Sequence, residues 1–192
     1  MEGKYMDRAM MKSMAKEQIR GNIGVLFAIT LLMALIMLGV TCIPLVGYVA
    51  SLLLGSAFSL AIYRIYLDLA DGLRPRVGDM FSQLKNWWPS FKVNFLVGLF
   101  TYLWSLLFVI PGIIKACSYS QAMYILAENP EMGALDAINQ SKEMMEGHKM
   151  EYFLLELSFF GWFLLGPFTL GLLYIWLIPY MQATFTNFYK SL

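Results

Sequence analysis

The stretches 21–63, 93–127 and 152–188 are apolar almost without interruption, and each is about twice the roughly 20 residues a helix needs to cross a bilayer. Each is broken near its middle by proline and glycine: "CIPLVG" at 42–47, "VIPGII" at 109–114 and "LLGPFTLG" at 164–171. Proline disfavours a helical residue before it and has no N–H to donate, while glycine tolerates the dihedrals of a tight turn. The pattern predicts three helical hairpins, with helices at 21–41, 45–67, 92–110, 112–128, 150–166 and 168–188. In the fifth the purely apolar part is short, and a re-entrant segment is the alternative. The expected fold is all-α, a polytopic integral membrane bundle of six transmembrane helices forming a single membrane domain. Composition agrees, since only 14% of the residues are charged and 59% are hydrophobic, against about 25% charged in soluble domains. The first apolar run is too long for a secretory signal and no A-x-A site follows it, so the amino terminus reads as mature sequence.

The charges fall on one side of this layout. Lys4, Arg8, Lys12, Lys16 and Arg20 precede the first helix, Arg74, Arg76, Lys85 and Lys92 lie in or beside the second connection, Lys142 and Lys149 in the third, and Lys190 at the end. Cytoplasmic loops carry the excess of Lys and Arg, so both termini are expected in the cytoplasm. Only Lys115 sits near an outer turn. The outer turns have almost no length or charge with which to recognise anything large, and a net charge of +1 points to no nucleic-acid partner.

The polar segments have a pattern of their own. Basic residues recur every four positions from Lys4 to Arg20, beside Met6, Met10, Met11 and Met14, as in a helix lying in the headgroup layer. The connector around "VGDMFSQLKNWWPSFKVN" (77–94) places Trp87 and Trp88 where an interfacial aromatic belt belongs, and the next opens on Asn129-Pro130. "AKEQIRGN" (15–22) and "SKEMMEGH" (141–148) share a register: Lys16 with Lys142, Glu17 with Glu143, Gly21 with Gly147. These read as matching interfacial joints, with glycine permitting the bend into the bilayer. The expected organisation is an amphipathic segment (1–20), hairpin (21–67), amphipathic connector (68–91), hairpin (92–128), amphipathic connector (129–149), and hairpin with tail (150–192). The middle copy matches by pattern and not by residue.

"YILAENP" (124–130), "SKEMMEG" (141–147), "LSFFGWFLL" (157–165) and "IWLIPYMQATFTNFY" (175–189) resemble a family of bacterial integral membrane proteins known as domain of unknown function 975. The resemblance implies a bacterial cytoplasmic membrane location and a non-enzymatic role, and it supplies no mechanism and no functional residues. A looser similarity of layout links the chain to the membrane part of glycerophosphodiester phosphodiesterases, without their catalytic domain.

The residues offer little chemistry. His148 is the single histidine, no His or Cys pair has metal-ligand spacing, and the common phosphate-binding, dinucleotide and serine-hydrolase motifs are absent, so no metal, cofactor or enzyme activity is expected. Cys42 and Cys117 fall toward the outer ends of their helices, which makes a disulfide conceivable. Gly47, Ser51, Gly55 and Ser59 put a small residue at every fourth position of helix 2, a stripe suited to close packing inside the monomer or to a dimer face. Polar residues at membrane depth are costly and tend to be paired or to line cavities. Arg64 and Asp68 stand one turn apart and can pair, Lys115 and Gln121 are further candidates in helix 4, and Lys115 can snorkel outward. Arg64, Glu156 and Gln182 together are the candidate polar vestibule.

Two functions follow as expectations. The first is a non-enzymatic module that binds membrane lipids, a protein partner or a second copy at the cytoplasmic face, since Met-rich connectors suit adaptable surfaces. The alternative is a small transporter or channel with an inward-facing vestibule, which the Pro and Gly interruptions, Pro179 among them, would serve.

Overall fold

The computed structural model describes residues 7–43, 46–169 and 171–192, and these are all-helical, without a strand. The elements are α1 (Arg8–Ile19), α2 (Ile23–Thr41), α3 (Val46–Ala70), α4 (Trp87–Leu107), α5 (Val109–Tyr119), α6 (Ala122–Glu128), α7 (Ala134–Met144), α8 (Lys149–Leu165) and α9 (Leu172–Ser191). Lys4 and Met6 of the basic stripe, Pro44 and Leu45 of the first predicted turn, and Leu170 of the third lie outside the described residues. By length and composition, α2 and the Gly47–Ala70 part of α3 are long and apolar enough to cross a bilayer.

Several predicted boundaries move, each for a local reason. The predicted fourth helix is two helices, α5 and α6, divided at Ser120–Gln121. Ser141 of α7 inserts there: its hydroxyl donates to the Ser118 carbonyl at 2.8 Å and accepts the Gln121 N–H at 3.1 Å, replacing a rung of the helical ladder. The second turn falls at Phe108, whose backbone is extended (φ −157°, ψ 146°), and Pro111 then occupies the first turn of α5, where a missing N–H costs nothing. Pro89 sits in the same way in the first turn of α4, which starts earlier than expected and takes Trp87 and Trp88 into the helix. The 68–91 connector holds two short 3-10 turns, Val77–Phe81 and Leu84–Asn86, in place of an amphipathic helix. Pro75, Gly78 and Pro89 leave too short an uninterrupted stretch for a stable α-helix.

The two joints have one geometry. Gly21 and Gly147 take φ of +83° and +85°, a left-handed conformation in which a side chain is strained. Arg20 N–H donates to the Glu17 carbonyl, and Glu146 N–H to that of Glu143; Asn22 donates to Ile19, and His148 to Met145. Lys16 then lies over the Tyr180 ring and Lys142 over the Tyr119 ring, both 5.6 Å from the ring centre.

At the turns, glycine serves close approach. A Cβ on Gly47 would come 2.3 Å from the Val40 carbonyl oxygen, one on Gly112 2.1 Å from Ser105 Oγ, and one on Gly166 2.0 Å from the Tyr174 ring. Each hairpin therefore closes because one residue near its apex has no side chain. Phe163 and Tyr174 meet near the α8–α9 turn, and Tyr152 and Phe188 near its other end, the antiparallel register of a hairpin.

Because the chain alternates direction, the molecule has a connector end and a turn end. Burial is concentrated at the connector end. One core joins Met11, Ala15 and Ile19 of α1 with Leu26 and Ile29 of α2, Ile65 of α3, Phe159 of α8 and Phe188 of α9. The other joins Leu60 and Leu67 of α3 with residues 122–127 of α6, Val93 of α4, and Ala137 and Ile138 of α7. Toward the turn end, large apolar side chains point outward: Leu38 is 64% exposed, Leu106 72% and Phe168 86%. Polar contacts close the connector end. Gln18 and Asn187 exchange amide hydrogen bonds at 3.0 Å in both directions, and Lys190 pairs with Asp71.

Candidate functional site

The two cores leave a seam where α5 faces α8. Ile110, Ile113, Ile114 and Cys117 line one wall at the i, i+3, i+4, i+7 spacing of a single helical face, and Lys149, Met150 and Phe153 line the other. Between them lies a cavity of about 480 Å³, within the roughly 300–1,000 Å³ range of small-molecule sites. The seam stays open because α8 turns its best-buried side chains elsewhere. Leu155 and Phe159 pack into the α1–α9 core, and the Tyr152 ring meets Phe185 at a tilt and Phe188 edge-on. On the other side, Tyr119 ends α5 in the second core, so only Cys117 of the α5 wall is buried.

The chemistry of this cleft is apolar with one cation. Lys149 opens α8 at the connector end, is half-buried, and forms none of the ion pairs among the described residues. The nearby carboxylate of Glu151 is engaged by His148 Nδ1 at 3.1 Å. An ammonium at the mouth of an apolar slot suits an amphiphile with a negative head.

Two depressions at the connector end contrast with it. One of about 310 Å³ is lined by Glu17, Gln18, Arg20, Asn22, Gly72 and Arg74 among others, and one of about 240 Å³ by Asp68, Arg74, Arg76 and Asp79. Both mix the two signs of charge and favour neither.

The sequence-derived candidates are distributed differently. Arg64 pairs with Asp68 at 3.0 Å, and its guanidinium lies 3.5 Å from the Ala127 carbonyl. Glu156 is exposed on α8, and Gln182 is half-buried on α9, its carbonyl accepting the Thr186 hydroxyl at 2.9 Å. No hydrogen bond or ion pair among the described residues links any two of Arg64, Glu156 and Gln182, and none of them lines the cleft or the two depressions. Gly47 and Gly55 of the small-residue stripe face Val40 and Met37 of α2, inside the chain. Ser51 donates to the Tyr48 carbonyl, and Ser59 is half-buried.

Cys42 and Cys117 are both free thiols, exposed and buried respectively. Cys117 shares the cleft with Lys149, so it stands well inward of its turn while Cys42 caps α2 at the opposite end. Lys115 covers the Trp104 ring at 4.8 Å. Lys12 donates to Ser158 Oγ at 2.7 Å and lies over Phe159, and burial, with Arg8 and Lys16 beside it, lowers its pKa below the ordinary 10.5. Gln121 is fully buried, with its amide nitrogen on Ser120 and its Oε1 without a hydrogen-bond partner among the described residues. Among the described residues no three His, Cys, Asp or Glu side chains gather as metal ligands.

Residues 106–192, which contain both walls of the cleft, match the family described as Protein of unknown function (DUF975). Over this part the chain is similar to that family. The DUF975 stretch thus takes in α5 to α9, the joint at Gly147 and the whole cleft, while α1 to α3 and most of α4 lie before it. No curated protein and no solved structure matches the chain.

Sequence reasoning missed the cleft, although its α5 wall was readable as an apolar stripe at helical spacing. What no spacing rule reveals is that α8 turns Leu155 and Phe159 away from that stripe.

Proposed function

We propose that this is a non-enzymatic, multi-pass protein of the bacterial cytoplasmic membrane, with six spanning helices and both termini inside, and that it binds membrane lipid near its cytoplasmic face. The observation that carries the reading is the division of burial along the helices. Large side chains are fully buried at the connector end, where the charges are, and exposed toward the turn end, where there are almost none. Water would penalise that exposed belt at about 25 cal/mol per Å² of apolar surface, whereas acyl chains accept it without cost. The length of α2, 19 residues, is close to the roughly 30 Å of a bilayer's hydrocarbon at 1.5 Å per residue. Trp87 and Trp88 at the start of α4, and Lys16 and Lys142 at the joints, stand where interfacial anchors belong.

Topology is tested with the chain's own thiols. In intact cells a membrane-impermeant maleimide is expected to label Cys42 and leave buried Cys117 unreacted, while a cysteine introduced in the second connector by Ser82→Cys labels only after permeabilisation. Labelling of Ser82→Cys in intact cells, with Cys42 protected, would reverse the orientation.

A further inference from the structure

We propose that the cleft between α5 and α8 holds one acyl chain of an anionic phospholipid, whose headgroup is read by the Lys149 ammonium. The inference rests on the membrane reading above and names the ligand of the cleft.

Three observations converge on an amphiphile of this polarity. The α5 wall is an unpartnered apolar stripe: Ile110 is 72% exposed and Ile113 and Ile114 are 43% and 46% exposed, although the same helix buries its inner turn in two cores. The opposite wall is as apolar, with Met150 and Phe153 facing the slot, so nothing along its length would hydrogen-bond a polar ligand. The one charged group lining it is at the connector end. Lys149 is in none of the ion pairs among the described residues, and a cation without a carboxylate beside apolar surface is complementary to a negative headgroup. Basic pockets between membrane helices on the cytoplasmic side have this character.

The geometry also sets the ligand's direction. With Lys149 at the start of α8 and Ile110 near the α4–α5 turn, the slot runs from the connector end toward the turn end, the direction in which an acyl chain of the inner leaflet extends. A second copy of this chain would also cover apolar surface, but it would have to bring an anion to Lys149, whereas an anionic phospholipid carries one with its chain.

The test is native mass spectrometry of the full-length protein released from nanodiscs containing phosphatidylglycerol and phosphatidylcholine of distinct mass. The wild type is expected to retain one phosphatidylglycerol. Lys149→Gln should lower its retention about fivefold, the loss of one interfacial cation, and Lys149→Arg should keep it. Ile114→Phe, which fills the slot without touching the charge, should displace the lipid while thermal unfolding shows the fold intact. Retention of both lipids alike, or of phosphatidylglycerol equally by wild type and Ile114→Phe, would overturn the assignment, as would a defined dimer whose interface excludes lipid from the cleft. A chain that enters nanodiscs but carries no slot-dependent lipid sinks this inference alone. One that stays soluble and never inserts sinks the membrane reading with it.

Discussion

The connector half and the turn half of this molecule are built from the same helices by opposite rules. In α6 every residue from Ala122 to Ala127 is buried, and Leu60, Leu126 and Ile138 have no exposed surface. A few turns outward along the same hairpins, Tyr48, Leu106 and Phe168 are more than two-thirds exposed. The connector half is held together by its own packing and by polar ties between distant segments, such as Gln18 with Asn187 and Ser90 with the Ser56 carbonyl at 2.6 Å. The turn half relies on close backbone approach at three glycines. The lesson is that stability and environment are read from different ends of one helix: large apolar side chains occur at both, and their neighbours differ.

That contrast can be broken at its strong end first. Leu126→Ala should cost about 2–5 kcal/mol, the range for a fully buried leucine, whereas Leu106→Ala, on the exposed belt, should cost a small fraction of that in detergent. Thermal unfolding of the two variants side by side measures the difference, and equal losses would erase the division.

The turn half is sharpened next. Gly112→Ala forces its Cβ against Ser105, whose Cα is 2.9 Å from the ideal position, and overpacking of this kind costs roughly 1–3 kcal/mol. Ser105→Gly in the same chain should recover part of the loss, because it removes the Oγ in the way. A double-mutant cycle without coupling would place the strain elsewhere.

The joints come third. A Cβ at Gly147 meets open space, so Gly147→Ala pays only the left-handed backbone, roughly 1–2 kcal/mol, and Gly21→Ala should pay the same. Gly24→Ala, also in open space but inside α2, should be neutral or slightly stabilising. Unequal penalties at Gly21 and Gly147 would show that the two joints are not equivalent.

The smallest effect is electrostatic. Burial lowers the pKa of Lys12 in the folded chain below 10.5, so between that lowered value and 10.5 the unfolded chain binds more protons. Stability should therefore rise slightly as pH increases through that window, and Lys12 should add no pH dependence at neutral pH, where both states are charged. Lys12→Met should flatten the alkaline rise in melting temperature.

Much of the architecture was legible because long apolar runs and Pro-Gly breaks act locally. The turn near Gly112, the joint glycines and the Arg64–Asp68 pair need only the chain's own spacing. The division of α5 from α6 depends on a serine about 20 residues away, and hydrophobic periodicity carries no trace of it. The 68–91 connector misled for a related reason, since its amphipathic composition says nothing about whether Pro75, Gly78 and Pro89 leave room for a helix. At the site, polarity at membrane depth drew attention to Arg64, Glu156 and Gln182. The cleft depends instead on which face α8 turns toward α5, a property of tertiary packing.

The most direct test of the central claim is quenching of single-tryptophan variants by brominated lipid in reconstituted bilayers. Trp162, 49% exposed on the turn half of α8, and Trp88, 49% exposed at the connector end of α4, differ in position and hardly in exposure. The account predicts that bromine deep in the acyl chain quenches Trp162 strongly and Trp88 weakly, with the order reversed for bromine near the headgroup. Quenching of both by aqueous iodide, with neither responding to bromine at any depth, would contradict it.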